Sequence, residues 1–150
     1  MTQIVLLDTG PLGLITHPKA SKESNLCNQW MQSQLMKGAR VLVPGISDYE
    51  LRREMLLVGN SKGILKLNAL RKAIGFAPIT VAVMDQAAAF WAQARKMGKP
   101  TASDPALDGD MILSAHASLI TDQGHQVIVA TTNVKHLDLF CIASLWTDIN

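Results

Sequence analysis

The aliphatic run Ile4-Val5-Leu6-Leu7 ends abruptly at Asp8-Thr9-Gly10-Pro11. An unbroken apolar run this short reads as a strand buried on both faces, because a half-exposed strand alternates apolar with polar residues. Val41-Leu42-Val43 before Pro44-Gly45, the β-branched stretch Ile79 to Val83 after Pro78, Val127 to Ala130, and Ile142 to Leu145 read as further strands. Helical spacing fills the intervals. Pro11 suits the first turn of a short helix over Leu12 to Thr16, and Ser21 caps a second that runs to about Lys37 and stops at Gly38. Helices follow from Ser47 toward Val58, from Lys62 to Ile74, from Asp85 to Met97 and from Asp110 to Ile120, with a single turn over Val134 to Leu137. Thr101 to Gly109 carries turn chemistry and is expected to be a loop. Strands alternating with helices predict an α/β fold whose mainly parallel sheet is covered on both faces. With no internal repeat or linker, residues 1–150 are expected to form one domain.

Several function classes are disfavoured at once. Cys27 and Cys141 lie far apart, and His17, His116, His125 and His136 are scattered, so no zinc-like spacing exists. Both cysteines are expected to be reduced, buried thiols. The first residues lack a basic segment ahead of their short apolar run, and no stretch approaches the ~18 apolar residues of a membrane span. A cytoplasmic location is expected. The formal net charge of +2, from 14 basic and 12 acidic residues, rules out a cationic coat. A polyanion would have to be met by a local patch. Arg52, Arg53, Arg71 and Lys72, with Lys62 and Lys66, make the third and fourth helices basic. They read either as a solvated face or as a phosphate track that holds RNA without reading bases. Trp30, Trp91 and Trp146 read as core or interface residues.

The acids at element edges are more informative, because sites in open α/β sheets form beyond the carboxyl ends of the strands. Asp8 leaves the first strand, Glu50 lies just inside the helix after the second, Asp108 and Asp110 open the sixth helix, and Asn133 follows the fourth strand. Carboxylates gathered around one opening repel unless a divalent cation neutralises them. Mg2+ or Mn2+ suits all-oxygen ligands and brings water to a phosphodiester. Each residue also has a structural reading. Asp8-Thr9-Gly10 echoes an aspartic-protease triplet, but that chemistry needs two triplets in an all-β setting; taken alone, Asp8 also reads as a cap of the turn. Ser47 and Glu50 fit a capping box, with Glu50 reaching back to the Ser47 N–H. Asp108 and Asp110 lie about 200° apart on a helix and cannot face one point from within it. Asp108 is therefore expected to cap the helix and Asp110 to sit in its first turn, sharing a face with Ser114 and Ala117. Thr9, Ser47 and Thr132 are candidates to support phosphate or metal-bound water, or else to satisfy nearby backbone. His116 reads as a core residue.

Four segments resemble the motifs of PIN-domain ribonucleases. They are Leu6-Leu7-Asp8-Thr9-Gly10-Pro11-Leu12, Ser47-Asp48-Tyr49-Glu50-Leu51-Arg52-Arg53, Asp110-Met111-Ile112-Leu113-Ser114-Ala115-His116-Ala117 and Thr131-Thr132-Asn133-Val134-Lys135-His136-Leu137. The most similar subgroup is the VapC-type toxin of type II toxin–antitoxin pairs. The resemblance implies a PIN-like three-layer fold with a five-stranded parallel sheet, and a metal-dependent endoribonuclease that cuts single-stranded RNA. It carries Asp8, Glu50 and Asp110 over as the catalytic, metal-binding acids, with Asp108 and Asn133 as further candidate ligands. Asn133 falls where many members have Asp, which leaves a second metal open. It also implies an antitoxin partner and a homodimer, for which Met31, Leu35, Met36, Met55, Leu56 and Leu57 are candidate apolar surface. The alternative is a non-catalytic PIN-like module that binds RNA or protein; clustered carboxylates, which repel RNA, argue for the enzyme. The chain has no room for the helical clamp of a flap-processing DNA nuclease.

Overall fold

Ile4, Val5, Leu6 and Leu7 are at most 2% exposed, because β1 (Gln3–Leu7) runs through the middle of the sheet. The computed structural model describes residues 2–98 and 104–150. β1 leads into α1 (Thr9–Thr16), α2 (Lys22–Met36), β2 (Arg40–Pro44), α3 (Gly45–Val58) and α4 (Ser61–Ile74). Then come β3 (Phe76–Ala77), α5 (Val81–Lys96), α6 (Asp104–Asp122), β4 (Gln126–Thr131) and β5 (Ala143–Leu145). Single 3-10 turns cover Leu137–Leu139 and Trp146–Asp148. The five strands form one sheet of order β3-β2-β1-β4-β5, every pair parallel. The α/β expectation holds. β1 and β4 run level, with Leu7 opposite Ala130, so both chains leave the sheet side by side.

Each face of the sheet has its own apolar layer. Val5, Leu7, Val41 and Val43 meet Leu12, Cys27, Met31, Met55 and Leu67 from α1 to α4. On the other face Ile4, Leu6, Val127 and Val129 meet Ile46, Leu113 and Ala117. α5 packs outside α6, through Val83 and Ala87 against Ala115 and through Ala94 against Leu107 and Met111. No helix among the described residues is long and apolar enough to cross a membrane.

Boundaries differ from expectation in instructive places. Ile79 to Val83 is not a strand. Thr80 caps α5, its hydroxyl accepting from the Val83 N–H at 3.2 Å, and Val83, Ala87 and Ala94 are buried at helical spacing. Periodicity over sixteen residues outweighs the β-preference of five. The third strand is the short edge pair Phe76–Ala77. α3 starts at Gly45, directly from the strand, with Pro44 as a cap that makes no side-chain bond. Gly45 allows this abrupt start, since a Cβ there would lie 2.9 Å from Ile79 Cγ1. α6 starts at Asp104, so 104–109 is helix rather than loop, and the rest of that expected loop lies outside the described residues. Pro105 in the first turn is compatible with a helix start.

Candidate functional site

Asp8 stands where β1 becomes α1 and is tied down on both carboxylate oxygens. Oδ1 accepts from the Thr9 N–H at 2.8 Å, and Oδ2 accepts from the Thr131 hydroxyl at 2.7 Å. The level register of β1 and β4 makes the second bond possible, because the Asp8 N–H already bonds Ala130 O. Glu50 projects from α3, and its Oε1 accepts from the Thr9 hydroxyl at 3.1 Å. Its other oxygen abuts Gly109 of α6, where an added Cβ would lie 2.8 Å from Oε2. Asp110 follows one residue on, with Oδ2 buried and without a hydrogen-bond partner. Elements from across the chain thus converge at the carboxyl edge of the sheet.

The three acids feel one another. Burial pushes the Asp110 carboxyl up to about 7, the Asp8 and Glu50 charges push the same way, and the Lys135 ammonium pulls it back. Burial also raises Asp8, against the bonds from Thr131 and Thr9 and the charge of Lys135. Burial raises Glu50 too, opposed by Thr9 and Arg53 and reinforced by Asp8. Among the described residues no three His, Cys, Asp or Glu side chains are already drawn tightly enough to enclose an ion. The acids share a field rather than a closed shell. The donor chemistry nevertheless fits a hard divalent cation: all-oxygen groups, mutually destabilised as anions, one with an orphaned buried oxygen.

Other expected site residues fall differently. Glu50 makes no capping box, because α3 begins before Ser47 and its carboxylate turns to Thr9 instead. Ser47 is fully buried, its hydroxyl without a partner, and does not support the acids. Asp108 is not a cap. It sits inside α6 and lines a groove with Met84, Ala88 and Trp91, on a different side of the helix from Asp110. Asn133 is exposed, and its backbone N–H bonds the Thr131 hydroxyl oxygen at 3.1 Å. Thr132 is exposed as well, and its side chain occupies the space in front of Gly10 that a Cβ would need.

The basic residues split. Arg52 and Arg71 both grip the buried Asp48, at 2.9 and 3.4 Å, so they are not the open phosphate track expected of them. The guanidinium of Arg71 also lies over the Phe76 ring at 5.3 Å. Arg53 lies over the Tyr49 ring and 3.9 Å from Glu54, while its charge reaches Glu50. Lys72 is exposed. Met31 and Met55, expected as interface candidates, are core residues, because helical spacing turns them inward.

Sequence reasoning missed Thr131, which is buried and holds Asp8. The signal was present in its position at the end of a buried strand beside the one that delivers Asp8. It also missed Gly109, whose role depends on what lies opposite. Cys141 is half-buried, its thiol pushed up to about 11 chiefly by burial and against the hydrogen bond to Ser114. It stays protonated under the acids that surround it.

No known family profile and no curated protein matches the chain. Solved structures do. A chain of FitAcB from Neisseria gonorrhoeae superposes with a TM-score of 0.69 at 20% identity, over 97% of this chain and 99% of that one. VapBC2 from Rickettsia felis, bound to a DNA fragment from their promoter, gives 0.69 at 15% identity over 95% and 98%. VapBC-1 from nontypeable Haemophilus influenzae gives 0.68 at 15% over 97% and 99%. The fold is the PIN-like fold that the motifs imply.

Proposed function

We propose that this PIN-like chain is a Mg2+- or Mn2+-dependent endoribonuclease that cuts single-stranded RNA, and that it is the toxin of a toxin–antitoxin pair. The observation that carries the reading is the coupling of Asp8, Glu50 and Asp110 at the carboxyl edge of the sheet, with Asp110 Oδ2 buried and unpartnered. A protein that only bound RNA would gain nothing from three repelling carboxylates beside a polyanion. The partner half of the reading is supported by the neighbours named FitAcB and VapBC, which are toxin–antitoxin complexes.

Asp8, Glu50 and Asp110 would hold the cation, which when bound supplies positive charge against phosphate oxygens and makes water easier to deprotonate. The chain's own residues prepare the place. Thr131 and the Thr9 N–H fix the Asp8 carboxylate, and the Thr9 hydroxyl fixes Glu50. Such second bonds hold ligands in orientation and preserve the geometry when charge changes. Arg53 and Lys72 offer exposed positive charge to the RNA. An antitoxin segment of apolar character would fit the groove of about 360 Å3 lined by Gly10, Gly13, Leu14, Leu51 and Val58.

The test is cleavage of labelled single-stranded RNA by the purified chain with Mg2+ or Mn2+. We expect cleavage that a chelator stops and that Asp8→Asn abolishes without unfolding the protein. Full cleavage by Asp8→Asn overturns the assignment. RNA retained without any product, with or without metal, favours the binding-module reading.

A further inference from the structure

Lys135 is the one non-glycine residue with a positive φ among the described residues, at 43°. A side chain there crowds the following carbonyl, and glycine or asparagine would sit more easily. The loop that holds it is pinned at both ends. Thr131 accepts from Asn133 N–H, Leu137 N–H bonds Val134 O, and Leu139 N–H bonds His136 O. The left-handed turn therefore sets where the lysine stem leaves the chain, four positions after the threonine that grips Asp8.

Lys135 is exposed, and its charge acts on both Asp8 and Asp110. Yet no ion pair among the described residues joins it to either acid. The contrast with Arg52 and Arg71 is direct, since both of those are closed onto Asp48. A cation close enough to be felt, but not closed onto a carboxylate, keeps its hydrogen-bond donors for something that enters between them.

We propose that Lys135 receives the phosphate group of the RNA at the cleavage site, its left-handed backbone aiming the ammonium at the gap beside Asp8 and Asp110. The proposal rests on the ribonuclease reading above and supplies a positive side chain on the Asp8 and Asp110 side of the site, to offset the repulsion between carboxylates and phosphate. It has a second consequence of opposite sign. An ammonium beside the acids repels a divalent cation in the absence of RNA, so removing it tightens metal binding while it weakens RNA binding. A lysine that served only the loop would move both the same way, or neither.

The experiment uses the full chain and the variants Lys135→Met, Lys135→Arg and Lys135→Gly. Glycine removes the charge and suits the left-handed turn, so a variant that folds is available even if methionine disturbs the loop. Mn2+ alone is titrated by calorimetry, and oligouridine RNA is bound in Ca2+ across a salt series and cleaved in Mg2+. Lys135→Met and Lys135→Gly are expected to bind Mn2+ several-fold more tightly. They should bind RNA weaker on the order of tenfold, with the slope of log affinity against log salt reduced by roughly 0.7 for one lost phosphate contact. Lys135→Arg should restore most of the RNA binding. Wild-type Mn2+ affinity, RNA affinity and salt slope in the glycine variant overturn the proposal while leaving the ribonuclease reading intact. A wild-type chain that neither binds nor cleaves RNA overturns both, and the wild-type control separates the two outcomes.

Discussion

Asp110 shows how much one carboxyl reports about its surroundings. In the folded chain it ionises near 7 rather than at the ordinary 3.8, so the folded state holds a proton that the unfolded chain releases. Between those values the folded state binds more protons, and stability falls as pH rises. Asp110→Asn removes this liability. In metal-free buffer the variant should melt at about the wild-type temperature near pH 4 and increasingly above it up to about pH 7, where the gain levels off. Saturating Mg2+ should cancel the advantage, because only wild type gains full stabilisation from the ion. A melting difference that is flat with pH would contradict the coupling. Gly109 makes a separate point. Alanine in a helix interior is favoured over glycine by up to about 1 kcal/mol, but a Cβ here would press on Glu50 Oε2 at 2.8 Å. Gly109→Ala is therefore expected to leave thermal stability level or raised and to lower cleavage, read from melting curves and initial rates on the same preparation.

At the scale of elements, α3 is held twice, with different results. Ile46 and Met55 anchor it to opposite apolar layers. Asp48, in its first turn, accepts both guanidinium groups, one from α3 itself and one from α4. Asp48→Ala leaves Arg52 and Arg71 facing each other without their shared anion. We expect a loss of about 2 kcal/mol in urea unfolding, below the roughly 3–5 kcal/mol for breaking a fully buried pair because both guanidinium groups are partly solvated. Cleavage should fall less than stability suggests once the variant is folded, since Glu50 keeps its bond to Thr9. A stability change below about 0.5 kcal/mol would make the cluster an ordinary surface ion pair. α5 carries the complementary lesson. Its first residues have strand-like chemistry, and only the buried row Val83, Ala87 and Ala94 against α6 reveals a helix.

For the molecule as a whole, the outer faces of α3 and α4 leave Leu56 64%, Leu57 81%, Val58 75% and Leu65 68% exposed. Apolar side chains grouped in this way mark an interaction surface. We expect a homodimer through this surface, which light scattering would detect. Leu57→Ser combined with Leu65→Ser should shift the mass toward the monomer while leaving the far-ultraviolet spectrum unchanged. A monomer mass for wild type at micromolar concentration would remove the expectation and leave the patch to a different protein.

Much of the architecture is legible in the chain because it depends on near neighbours. The continuous aliphatic runs of β1, β2 and β4, the cap at Ser21 and the stop at Gly38 act within a few residues of themselves. Asp8 at the exit of a buried strand, and the 200° that separates Asp108 from Asp110, are local facts as well. What the chain alone leaves open depends on partners distant in sequence. Glu50 looks like half of a capping box until α3 is seen to begin at Gly45 and Thr9 to lie opposite. Arg52 and Arg71 look like free cations until Asp48 is found buried between them. The acids become one electrostatic unit, with Thr131 and Lys135 at its edge, only when the level register of β1 and β4 brings their exits together. Burial and Coulomb energy are set by three-dimensional distance. The sequence by itself therefore determines β1, β2 and β4, the order of the motifs and the candidate acids, and the tertiary structure decides which charges are already paired and which remain open to a ligand.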